Sequence, residues 1–362
     1  MKNSITCELQ SRSNLHALQL IYTGFKALRD AKVVDLEQRI VQENLIDLSQ
    51  TVHLQDAQRH HISVTLNNQY LLYYDLHDSY EVNHKALEKA DLYFKRSFSE
   101  TYVRSIEATE KVFPLGLIFP VYSKGIDLLF ADRIKLDQKK DKIKSLLYSI
   151  GFDFLFSNHL FAPRVQHFGE YPNFEQEPKV LFMVRAWDPA AMSTREKQEE
   201  YHHINEMRSR CLQSLKREFG SAFFGGFYGD YAREHYPDLL LDQPKLSKQG
   251  QYMKQLRQFP ICVATTGLHR SIGWKMAEYV AQSKAIVSET LNYQLPGNFA
   301  NEKNYLEFQT PEQCAEVTVR LFQDAGLRSR MMMNNYRYYQ AYSKPEALVL
   351  NSLAVALDRL AN

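Results

Sequence analysis

Residues 261–289, ICVATTGLHRSIGWKMAEYVAQSKAIVSE, constrain the fold more than any other stretch. Ile261–Ala264 is an apolar run too short for a helix, and Thr265, Thr266 and Gly267 bound it. Ser271 can cap the helix that follows, whose apolar positions Ile272, Met276 and Val280 fall at helical spacing. A second apolar run covers residues 285–287. The segment therefore reads as strand, glycine-bearing turn, helix, strand. A polar turn feeding a helix N-terminus gathers backbone N–H groups and a positive dipole end at one point, a natural seat for an anion such as a diphosphate. His269, Arg270 and Lys275 add cationic or hydrogen-bonding heads. Glu278, one to two turns down the helix, offers a carboxylate at the right reach for a pair of ribose hydroxyls.

The segment resembles the donor-binding motif of GT-B glycosyltransferases, near the group-1-like and CgeB-like bacterial members. There a glycine-containing loop runs into a helix that carries a glutamate, followed by small residues and a strand; here these are Gly267, then Glu278 in AEYVAQSKAIV. Many relatives carry a second glutamate eight residues earlier, where this chain has Arg270. The resemblance is close over about the last quarter of the chain, loose from Lys179, and architectural in the first half. It implies an α/β chain of two Rossmann-like domains facing a central cleft, with a C-terminal helix crossing back to the first domain. The corresponding division is 1–170 for an acceptor-binding domain, 171–343 for a nucleotide-sugar-binding domain, and 344–362 for the returning helix.

The pattern along the chain agrees. At 362 residues, two domains of about 150–200 residues are the expectation. In the first half, apolar runs at residues 5–9, 69–74, 92–95 and 113–117 alternate with helical stripes at 14–28 and 85–90, which predicts βαβ units and a mainly parallel sheet. Residues 163–178 are rich in Pro, Gly and polar groups and form the linker candidate. Beyond them, residues 180–184 (VLFMV) read as a buried parallel strand. A long charged helix over 195–219, a strand at 222–227 and a helix at 247–259 follow. Helices at 310–322, 327–342 and 345–360 complete the chain. The glycines of residues 218–230 match neither GxGxxG nor GK[ST] and belong to a strand and its loop.

Composition removes several classes. Lys and Arg number 44 against 42 Asp and Glu, so the chain lacks the basic excess of a nucleic-acid binder. The basic run at 138–144 (QKKDKIK) leaves peripheral association with a membrane open. The four cysteines, Cys7, Cys211, Cys262 and Cys314, form no CxxC pair. No apolar run is long enough to span a bilayer. A reducing, cytoplasmic location, at the inner face of the membrane, is the expectation. The 22 tyrosines and 21 phenylalanines suit sugar or base stacking, but core filling more.

The resemblance implies a glycosyltransferase that moves a sugar from a nucleotide-sugar donor to a glycan or other hydroxyl acceptor, in polysaccharide biosynthesis. The donor side would comprise Arg185, at the end of VLFMVR, with Gly267, His269, Arg270, Ser271, Lys275 and Glu278. Arginine suits bidentate phosphate contacts. No DxD triplet follows a strand, so a metal-independent reaction is expected, with no cofactor beyond the donor; cations and helix N–H groups would then stabilise the leaving diphosphate. On the acceptor side, Asp75, His77 and Asp78 follow the strand QYLLYY, and any of them could act as general base. They equally suit a turn that caps the next helix. Lys95 and Arg96 end another strand. Two other readings stand beside the transferase: a nucleotide-sugar epimerase on the same fold, and a non-catalytic nucleotide- or glycan-binding module.

Overall fold

The computed structural model describes residues 5–10, 18–39, 60–123, 164–242 and 249–360. The start of the helix predicted from residue 14, the basic run at 138–144 and the first residue of the linker candidate lie outside them.

The chain is α/β and forms two compact, Rossmann-like units. The first holds residues 1–167, 293–297 and 341–362; the second holds 168–292 and 298–340. The division at 167/168 falls inside the linker candidate. Residues just after it are tied to the second unit, with Gly169 N donating to Ala281 O and Ser283 Oγ donating to Glu170 O.

Unit 1 is built on a six-stranded sheet, β1 (Ile5–Gln10), β2 (Val34–Arg39), β3 (His61–Leu66), β4 (Tyr70–Asp75), β5 (Leu92–Lys95) and β6 (Val112–Pro114), ordered β2-β1-β3-β4-β5-β6. Five of its six strands run in one direction, so the sheet is mainly parallel, as expected for this half, with β3 as the exception. β3 runs antiparallel to both β1 and β4. The cause is local: Asn67 and Asn68 both adopt left-handed backbone, with φ of 52° and 55°. Two consecutive positive φ values make a tight hairpin turn whose twist matches the strands it joins. β4, β5 and β6 are parallel and connect through α2 (His84–Lys89) and α3 (Glu100–Ser105), each capped by the side chain before it, Asn83 and Ser99.

Helix α1 (Gln19–Asp30) packs against α10 (Pro345–Leu360), so the last helix does return to the first unit. Tyr74 Oη and Ser352 Oγ share a 2.8 Å hydrogen bond beneath it. The crossing passes over Gly24, where an added Cβ would stand 2.3 Å from Pro345 O and 2.6 Å from a Val349 methyl. Gly24→Val must therefore push the helices apart. Its expected effect is a loss of about 2–3 kcal/mol in urea denaturation, with unit 1 unfolding first in hydrogen exchange.

Unit 2 carries β7 (Val180–Arg185), β8 (Phe223–Tyr228), β9 (Ile261–Ala264), β10 (Ala285–Glu289) and β11 (Leu306–Phe308), all parallel, ordered β11-β10-β9-β7-β8. Helix α4 (Arg195–Phe219) is capped by Thr194, α8 (Pro311–Gln323) by Thr310 and α9 (Ala325–Tyr338) by Asp324. The short helices α5 (Asp230–His235), α6 (Gln249–Arg257) and α7 (Trp274–Ala281) complete the unit. Buried Val180, Phe182, Val184, Ile261, Val263, Val287 and Phe308 form its core with Leu212 and Leu215 of α4. The glycines of β8 serve packing: a Cβ on Gly225 would lie 2.2 Å from Phe182 O.

Candidate functional site

The strand order of unit 2 places its topological switch between β7 and β9, the first and third strands of the unit. In open parallel sheets, ligands bind outside the carboxyl ends of the strands at that point. The two strands are paired only at Val180↔Ile261 and Leu181↔Cys262. Beyond these pairs they diverge, and Arg185 and residues 265–275 stand around the opening.

A residue that sequence reasoning missed fills the base of this opening. Arg208, 7% exposed, reaches across from α4. Its Nη1 donates to Arg185 O at 2.8 Å, its Nε to Thr265 Oγ1 at 3.0 Å and its Nη2 to Thr266 O at 3.1 Å. Burial brings its pKa down to about 10, against the opposing pull of Glu289 and Tyr228, so it stays charged at neutral pH. Glu289, at the end of β10, accepts from Thr266 N at 2.6 Å and from Thr266 Oγ1 at 3.1 Å. The ends of β7, β9 and β10 are thus joined by one arginine and one carboxylate. Asn205, fully buried three residues before Arg208, receives Trp187 N at 2.9 Å and donates to Trp187 O at 2.6 Å.

The turn after β9 is shaped differently from the expectation. Gly267 N donates to Ser271 O and Ser271 N to Leu268 O, which closes a tight loop. His269 and Arg270 both take left-handed backbone, with φ of 57° and 54°, a conformation unfavourable for side chains of their size. His269 N donates to a Glu200 carboxylate oxygen from α4. Two of the turn's amides, those of Thr266 and His269, are therefore taken by carboxylates. Ser271 does not cap the helix. Its backbone is spent on the loop, the chain stays extended through Gly273, and α7 begins at Trp274 with no side-chain cap. The helix end that remains for an anion is that of Gly273, Trp274 and Lys275. The Lys275 ammonium lies 3.9 Å from the Tyr252 ring centroid and 6.0 Å from that of Tyr228.

Glu278 lies on the inner side of α7, only 5% exposed, among Tyr252 and Tyr279. Burial first pushes both phenols well above their ordinary range; the Glu278 carboxylate is the next cause for Tyr252 and follows Cys262 for Tyr279. Arg185 is exposed and stacks its guanidinium 4.9 Å over the Trp187 ring. The residues expected on the donor side, 185 and 267–278, therefore gather at one end of one sheet, with Glu278 set below that surface.

In unit 1, Asp75, His77 and Asp78 cluster at the carboxyl end of β4, beside the end of β5. The register Asp75↔Lys95 brings Lys95 Nζ to 2.8 Å from Asp75 Oδ2. Tyr93 Oη donates to the same oxygen, and His77 N to Oδ1 at 2.8 Å. Burial acts to raise the Asp75 pKa, but Lys95 and these hydrogen bonds outweigh it and the net direction is down. Asp78 is paired with Arg96. Lys95 and Arg96, expected at a strand end, are thus buried partners of the two aspartates. His77 is lowered, chiefly by burial and against the pull of Asp75; its Nδ1 accepts from Ser79 N at 3.2 Å.

Among the described residues, no group of three or more His, Cys, Asp or Glu side chains could hold a metal ion, and no helix is long and apolar enough to cross a membrane. No protein-family model matches the chain, and no curated protein is similar to it. Among solved structures it is similar to the Anabaena protein HepE in complex with UDP-glucose, with 13% identity, 93% of this chain and 89% of that one covered, and a TM-score of 0.41. It is similar to sucrose-phosphate synthase from Thermosynechococcus elongatus, with 11% identity, coverage of 77% and 78%, and a TM-score of 0.36. It is also similar to the C-terminal domain of a group 1 family glycosyl transferase from Francisella tularensis, with 15% identity over 50% of this chain and 97% of that one, and a TM-score of 0.33.

Proposed function

We propose that this chain is a glycosyltransferase that moves a sugar from a nucleotide-sugar donor to a hydroxyl acceptor, in cell-surface glycan synthesis and without a metal ion. One observation carries the reading. The parted ends of β7 and β9 hold two cations, Arg185 and Lys275, beside an uncapped helix end, with the Glu278 carboxylate beneath. That set suits a diphosphate whose negative charge grows as the sugar leaves. The diphosphate would lie against the first amides of α7, between Arg185 and Lys275, and Glu278 would exchange its tyrosine environment for ribose hydroxyls.

On the acceptor side, His77 is the group whose chemistry suits a base. Asp75 and Asp78 are engaged with Lys95 and Arg96, whereas burial keeps His77 neutral at pH 7; its Nδ1 lone pair, which holds the Ser79 N–H, would have to give up that hydrogen bond to take a proton. The same two ion pairs favour a second reading, in which the chain binds nucleotide sugars without turning them over.

Calorimetry with UDP, GDP, ADP and their sugar derivatives tests the proposal. At least one nucleoside diphosphate is expected to bind, and Glu278→Gln to weaken it about 10–100-fold, the equivalent of one charge-assisted hydrogen bond. Absence of heat with every nucleotide sugar would overturn the reading. Binding without donor hydrolysis or transfer would select the second one.

A further inference from the structure

The loop that leaves β7 is held with more care than a surface loop needs. Arg208 fixes the carbonyl of Arg185, and Asn205 fixes both backbone polar groups of Trp187. Asn205 is fully buried, and a buried amide is tolerated only when bonded; here it is bonded to the Trp187 backbone. The two polar residues lie three positions apart on α4 and act on the two ends of a three-residue segment. What they hold in place is an indole. Trp187 is half-buried, with the Tyr201 ring 5.6 Å away and the Arg185 guanidinium 4.9 Å from its centroid. The Arg185 side chain also runs past Gly229, where an added Cβ would stand 3.9 Å from its Cγ and Nε, in ordinary contact.

We propose that Trp187 is a positioning residue for anion binding: its indole is a shelf that holds the exposed Arg185 guanidinium flat and aimed at the diphosphate of the nucleotide. This rests on the donor-site reading above and goes beyond it by assigning a residue that nothing in the chain's phosphate-binding chemistry requires. An exposed arginine loses rotamer freedom when it grips a phosphate. A stacked one has already lost part of it, so more of the bidentate contact appears as affinity. The role acts through Arg185 alone, and so it concerns the diphosphate and not the nucleoside.

The experiment is calorimetric titration of the full chain with the nucleoside diphosphate that binds it and with the matching nucleoside, for native protein, Trp187→Leu, Trp187→Phe and Arg185→Met. The expected result is diphosphate binding about three- to tenfold weaker in Trp187→Leu, recovered in Trp187→Phe, which keeps an aromatic face. Arg185→Met should weaken the diphosphate more, and nucleoside affinity should be the same in all four proteins. The chain has two tryptophans, Trp187 and Trp274. In Trp274→Phe the remaining indole reports directly, and its emission is expected to change on adding diphosphate but not on adding nucleoside. Native affinity in Trp187→Leu, with Arg185→Met impaired, overturns the shelf and leaves the donor site standing. Equal loss of diphosphate and nucleoside in Trp187→Leu makes the residue merely structural and overturns it too. If native protein binds no nucleoside diphosphate, the shelf and the donor site fall together.

Discussion

Replacing Arg208 with leucine is expected to destabilise the chain by about 3–5 kcal/mol and to abolish nucleoside diphosphate binding. The substitution leaves Arg185 O, Thr266 O and Thr265 Oγ1 without their buried donor. An orphaned buried acceptor costs about 1–3 kcal/mol, and more when the lost donor was charged. Glu289 also loses the cation that offsets it. The pairing of β7 with β9 ends at Leu181 and Cys262, so backbone hydrogen bonds cannot make good the loss. Arg208→Lys keeps the charge but cannot reach three separated acceptors with one nitrogen; it should recover less than half the stability. Urea denaturation followed by circular dichroism measures both. A leucine variant within about 1 kcal/mol of native would mean that water satisfies these groups and that the arginine does not brace the site.

Lys95→Met should be comparably damaging. Lys95 is 1% exposed and Asp75 7%, and removing one member of a buried pair leaves the other charge uncompensated, at about 3–5 kcal/mol. Lys95→Met with Asp75→Asn should be less harmful than Lys95→Met alone, because the stranded charge is gone. The pH dependence follows from the same pair. The native Asp75 carboxyl titrates below its ordinary value of 3.8, so its contribution is complete above that value and disappears as pH falls through the lower native one. In Lys95→Met this acid-side loss of stability should move to higher pH. An unchanged acid limb would show that the pair contributes nothing.

How much of this was legible beforehand depends on where the physical information lies. VLFMV and ICVA announce buried parallel strands because both their faces are apolar, and both stand where expected. The amphipathic stripe of residues 345–360 likewise marks a helix with one face to bury. The hairpin was missed although Asn67 and Asn68 carry its signal, two adjacent asparagines being among the side chains that accept left-handed backbone. The partners of Asp75 were hidden for another reason: Lys95 and Tyr93 lie on a neighbouring strand, and register is not written in either strand alone. Arg208 was lost within the charged run REKQEEYHHINEMRSRC. A signal was present, since Asn205 and Arg208 fall on the same helical face as Tyr201, Ile204, Cys211, Leu212 and Leu215. Polar residues on a stripe that must be buried need partners, and such partners gather where strands end.

The N-terminal unit borrows its last helix from the far end of the chain, and its polypeptide passes between the units four times. During synthesis, domains tend to assemble as they emerge. Here the side of α1 that carries Gly24 stays uncovered until residue 360 has left the ribosome. The first unit must wait, sticky side out, for the sixteen-residue helix Pro345–Leu360 to arrive. Premature termination near residue 340 would therefore harm the beginning of the protein before it harms the middle.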